Sequence, residues 1–152
     1  MPLTSSAAEA QRVTEQTYDL TALIPSTCNF SLELAVAHFR PIEIGGPPIR
    51  AELLTSSSVQ KLDGFRVWFG DWAVSAWLDE AADVAELCQF LAQKNDLPTP
   101  AETIAACKKS LSISTDDDPQ LNHSDDIIIF AQELTERFGL LVYDPVNGSW
   151  WT

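Results

Sequence analysis

RAELLTSSSVQKLDGFRVWFGDWAVSAWLD, residues 50–79, is the stretch on which the fold turns. Phe65, Val67 and Phe69 alternate with Arg66 and Trp68, and beyond Gly70-Asp71 the residues Trp72, Val74, Ala76 and Leu78 alternate with Ala73, Ser75 and Trp77. Successive side chains of a strand point to opposite faces, so a period of two predicts two strands with one face against a core. Gly-Asp between them is a two-residue hairpin turn. Residues 50–56 are expected to form a preceding strand. Tryptophan stands on both faces, which predicts helices over one face and partial exposure of the other.

Downstream the period becomes helical. Ala81, Val84, Leu87, Cys88 and Leu91 share a stripe across 80–94, with Glu80, Asp83 and Glu86 opposite. Thr99-Pro100-Ala101-Glu102 has the form of a capping box, which predicts a helix from 100 to about 109 whose last residues, Lys108 and Lys109, suit the negative end of its dipole. A short strand at 111–114 and an acidic, turn-rich loop at 115–122 follow. Ser124 is expected to cap a last helix that turns Ile127, Ile128, Ala131, Leu134 and Phe138 to the core and stops at Gly139. A hairpin closes the chain, 140–143 and Trp150-Trp151 around a turn at 144–148.

Upstream, residues 17–24 (TYDLTALI) form an expected first strand. Ser31 caps a short helix carrying Leu32, Ala35, Val36 and Phe39, which Pro41 ends, and Gly45-Gly46-Pro47-Pro48 is a loop. Residues 1–16 lack a firm apolar stripe and are expected to be a flexible or weakly helical arm, leaving 17–152 as a single domain. The predicted class is α+β, a mostly antiparallel sheet of about five or six strands with three or four helices packed on one face.

With 45% hydrophobic and 20% charged residues, the chain of 152 has the composition of one globular domain. Nine Lys and Arg oppose twenty-two Asp and Glu, a net charge of −13. A field of that sign repels nucleic acid and anionic membranes and speeds encounter with basic proteins. The expected partner is therefore a basic protein, with no nucleic acid and no membrane, and the chain itself a monomer or homodimer. The start lacks the basic and apolar regions of a signal peptide, which places the protein in the cytoplasm by expectation.

Candidates for chemistry are few. Cys28, Cys88 and Cys107 have no CxxC spacing, so neither a disulfide framework nor a zinc site is indicated. His38 is expected to be a packed or surface residue. His123, beside Asp116, Asp117, Asp118, Asp125 and Asp126, is the one place where a metal-dependent enzyme or small hydrolase is conceivable. Counted from Asp116 as a calcium loop, position 6 is Leu121 where glycine is needed and position 12 is Ile127 where glutamate should chelate. No phosphate loop, nucleophile elbow or HExxH pair is present. No enzyme activity, cofactor or metal is expected.

Binding has more to draw on. Asp79, Glu80, Asp83 and Glu86 lie in one long window without a basic residue, and Asp116, Asp117, Asp118, Asp125 and Asp126 lie in a second. If the two meet in space they make a continuous negative surface, in which Trp77 and Trp150 are the expected aromatic anchors.

From Cys107 through Asp116-Asp117-Asp118-Pro119 and Asn122-His123 to Arg137-Phe138-Gly139, followed by LLVYDP and an aromatic tail, the chain resembles a pattern of small uncharacterised bacterial proteins. These are similar in kind to the immunity proteins of bacterial toxin systems, which bind and neutralise a cognate toxin. That resemblance implies a basic toxin domain as partner and no catalytic residue. In size, acidity and α+β content the chain is also similar to type III secretion chaperones, which hold an unfolded effector segment in an apolar groove. The extra C-terminal hairpin departs from their pattern.

Overall fold

The computed structural model describes residues 17–40, 49–55 and 63–151. Seven strands build one antiparallel sheet: β1 (Leu20–Ile24), β2 (Ile49–Thr55), β3 (Asp63–Phe69), β4 (Trp72–Asp79), β5 (Lys109–Thr115), β6 (Leu141–Asp144) and β7 (Ser149–Trp150). Their spatial order is β2-β3-β4-β5-β1-β6-β7. The described helices are α1 (Leu32–Phe39), α2 (Ala82–Leu91), α3 (Ala101–Ala105) and α4 (Ser124–Phe138). The α+β class is as expected, with a slightly larger sheet. The expected arm at 1–16, Pro41 and the 45–48 loop lie outside the described residues.

The period-two block forms its hairpin, with Phe69 opposite Trp72 and Phe65 opposite Ala76. Gly70 adopts a φ of 70° at the turn. Gly64 faces Trp77 across the pair, and a Cβ there would stand 2.3 Å from the Ala76 carbonyl oxygen and 2.9 Å from the indole. Only glycine lets Trp77 lie flat across β3 at this point.

Pleating divides the interior into two cores. Ala22, Phe65, Val67, Val74, Ala76, Leu111, Ile113 and Val142 point to one face, under α1 and α4. At its centre Phe39, Phe65 and Phe130 pack ring on ring, with centroids 5.1 to 6.2 Å apart. Leu23 and Tyr143, each next in sequence to a residue of the first core, point the other way and meet Val84, Cys88, Leu91, Ile104 and Cys107 of the α2–α3 layer. The helices thus divide two and two rather than gathering on one face. The reason lies in β1 and β6, which are apolar on both faces, as strands covered on both sides must be.

Several boundaries differ from the sequence expectation. The first strand starts at Leu20 instead of residue 17, because the Tyr18 N–H donates to Thr115 Oγ1 (3.0 Å) outside the ladder. α2 is shorter than 80–94: Asp79 Oδ1 accepts from the Ala81 N–H at its entry, and i→i+3 bonds from Gln93 and Lys94 tighten its exit. The capping box at Thr99 does not form; Pro100 occupies the N-cap position without a side-chain cap. That helix ends at Ala105, and Lys109 joins β5, which is paired on both sides and so outgrows the expected 111–114. α4 has His123 at its N-cap position with no side-chain cap, and Ser124 is its first helical residue. Its buried stripe is Ile127, Phe130, Ala131 and Leu134, which turns Ile128 outward at 42% exposure. Ser31 does cap α1, accepting from the Leu34 N–H at 3.1 Å, and Gly139 ends α4 at a φ of 75°.

Candidate protein-binding surface

The two acidic windows do not merge. Asp79 pairs with Ser110 at one end of β4, whereas the Ala73 N–H near the other end donates to Asp116 Oδ2 at 3.0 Å. Six residue steps along the strand, about 20 Å, separate them. α2, with Asp83 and Glu86, covers one face of the sheet, while α4, which begins with Asp125 and Asp126, covers the other.

In the 115–126 segment Asp116, Asp118 and Asp126 accept hydrogen bonds from within the molecule. Asp118 is 2% exposed. It accepts from the Tyr18 hydroxyl, the Asn122 N–H and the His123 N–H, each at 2.9 Å. The last two donors lie just before the first turn of α4, so Asp118 fixes the approach of the chain to that helix. Tyr18 is held neutral: burial and the Asp118 carboxylate together push its phenol from 10.0 up to about 12. His123 stacks on Trp72, with centroids 4.5 Å and planes 2° apart, and its Nδ1 lies 2.7 Å from Asp126 Oδ2. The Trp72 indole N–H donates to the carbonyls of Asp116 and Asp117. This is a self-consistent structural knot in which the sequence-predicted surface residue Asp118 is interior. Asp116, Asp117 and Asp125 remain exposed. Among the described residues, no group of three or more His, Cys, Asp or Glu converges as a metal's donors would.

The other window faces outward. Asp83, Glu86, Leu87 and Phe90 are exposed on α2 and fall within about a 100° arc at 3.6 residues per turn. Leu87 was expected in the core, but the stripe centres on Val84, Cys88 and Leu91 and leaves it 37% exposed, with Phe90 at 60%. Two exposed apolar side chains flanked by two carboxylates make an amphipathic ridge. Lys94 lies over the Phe90 ring at 4.9 Å and also lines a groove of about 730 Å³ with residues 95–98, Ser149 and Trp150. Phe90, Lys94 and Trp150 therefore connect the ridge to the C-terminal hairpin. Asp79 supports the entry of α2, and Glu80 makes an exposed ion pair with Lys109 at 3.4 Å.

The two sequence-predicted tryptophans are half-buried in different places. Trp77 lies across Gly64 on the sheet, and Trp150 packs on Tyr143 with centroids 4.9 Å apart. Trp151 joins Ile128, Ala131, Gln132 and Trp150 around a second groove of about 330 Å³. Leu87 and Phe90 are the surface residues that sequence reasoning missed. The signal was available in the i, i+3 spacing of two apolar residues beside acidic neighbours, but the wider apolar stripe of α2 obscured it.

No family model, curated protein or solved structure matches this chain.

Proposed function

We propose that the protein binds a basic protein partner through the outer face of α2, in the manner of an immunity protein that neutralises a toxin domain. The observation that carries this reading is the ridge of Asp83, Glu86, Leu87 and Phe90, exposed apolar anchors within a carboxylate frame. Apolar anchors set how slowly a complex dissociates, and the frame, in a chain of net charge −13, steers a cationic partner toward them.

The test is capture from the native host, identification of the bound protein, and binding kinetics against salt. A basic partner is expected, whose association slows as salt rises while dissociation changes little. Leu87→Ala with Phe90→Ala is expected to cost roughly 2 kcal/mol or more of affinity, read mainly in the dissociation rate. Asp83→Lys with Glu86→Lys should lower the association rate instead. Full binding by both double variants, or recovery of acidic partners alone, overturns the assignment.

A second reading, a secretion-type chaperone, is favoured by the apolar groove at Ile128, Ala131 and Trp151. It predicts binding to an unfolded effector segment, lost on Ile128→Ser and insensitive to changes on α2.

A further inference from the structure

We infer that the cavity between the end of β1, the start of α1 and the Lys108–Lys109 segment binds a small anionic amphiphile, a carboxylic acid with a short alkyl or aryl tail. The cavity holds about 270 Å³, just below the range of about 300–1,000 Å³ for drug-sized ligands and so suited to a smaller molecule. Its walls include Ile24, Phe30, Leu32 and Leu78, which offer an apolar surface for a tail. Both Lys108 and Lys109 line it.

That pairing is notable against the charge of the whole. The chain has nine Lys and Arg and a net charge of −13, yet two of the nine stand side by side at one cavity. The groove beside Trp150 has one lysine and the groove beside Trp151 has none. Lys109 meets Glu80 at 3.4 Å, with both side chains more than half exposed. An exposed pair of that kind is weak, so an incoming carboxylate can share or replace Glu80. Ser31 and Leu32 bring the positive end of the α1 dipole to the same rim, with the sign a carboxylate requires. Apolar walls with cations at the edge select an amphiphile over a simple anion, because the tail gains from burial and the head group from a charge-assisted bond.

This site is separate from the α2 ridge, and its test needs no protein partner. Octanoate and its uncharged analogue octanamide are titrated into the full-length protein while backbone amide resonances are followed. Octanoate is expected to shift the amides of Ile24, Cys28, Leu32, Leu78 and Lys109. Octanamide should bind about tenfold more weakly or worse, and Lys108→Gln with Lys109→Gln should weaken octanoate by a similar factor. These lysines are exposed, so resonances elsewhere in the double variant will report an unchanged fold. Equal binding of acid and amide, undiminished binding by the double variant, shifts confined to the Trp150 and Trp151 grooves, or no shift at about 10 mM octanoate would each overturn the inference.

Discussion

The 115–126 loop and the outer face of α2 are alike in sequence, acidic and free of lysine and arginine, yet the fold puts their charges to opposite uses. In the loop, Asp116 and Asp118 accept backbone N–H groups of Ala73, Asn122 and His123, and Asp126 meets the His123 ring. On α2, Asp83 and Glu86 point to solvent beside Leu87 and Phe90. A carboxylate surrounded by donors shapes the molecule; one surrounded by water shapes its encounters. Local charge density alone therefore does not distinguish a scaffold from a binding surface.

The largest expected effect is at the centre of the loop. Asp118→Ala removes the acceptor of three hydrogen bonds and strands donors in a largely enclosed site. A loss of about 3 kcal/mol is expected, a fall of roughly 6–12 °C in Tm, measured by thermal or urea unfolding. A loss below about 1 kcal/mol would erase the contrast between the two regions.

Tyr18→Phe should cost less, about 1–1.5 kcal/mol near neutral pH, and it carries a pH signature. The phenol stands at about 12 in the folded protein against 10.0 ordinarily, so the folded state holds its proton longer. Its contribution is complete below pH 10 and is lost as pH rises toward about 12. The stability difference between wild type and Tyr18→Phe should shrink across that window in urea unfolding. A difference that stays constant would place the hydroxyl away from Asp118.

His123→Ala removes the ring stacked on Trp72 and the bond to Asp126, with an expected loss of about 1 kcal/mol and a change in tryptophan fluorescence. The smallest effect belongs to α2. Asp83→Ala with Glu86→Ala should leave stability within about 0.5 kcal/mol, since neither carboxylate is buried. A larger loss there would give the ridge a structural role like that of the loop.

Much of the architecture was legible in local pattern. Alternation across 63–79 placed β3 and β4 on the correct faces, and Ser31, Gly70 and Gly139 marked their cap, turn and stop. The capping signal at Thr99 was equally clear and still failed, because Pro100, with an extended ψ of 142°, takes the N-cap position itself and the helix starts one residue later, at Ala101. The helix is also shorter than its local pattern, ending at Ala105, and Lys109 instead enters β5 opposite Ile24. The candidate site was half legible: Asp83, Glu86 and Trp150 were named from sequence, whereas Leu87 and Phe90 became surface residues only once helix packing settled which arc of α2 faces inward.

By itself the sequence determined the α+β class, the central hairpin, the acidic field and the lack of familiar catalytic motifs. These depend on composition and on neighbours a few residues apart. Tertiary structure alone decided that β5 lies between β4 and β1, that helices cover both faces, and that Asp118 is interior. Each of those depends on partners far along the chain: Tyr18 reaches Asp118 across 100 residues, and Leu20 pairs with Ile113. No local periodicity records such pairings, because side-chain period reports which face a residue takes and not which strand will lie beside it.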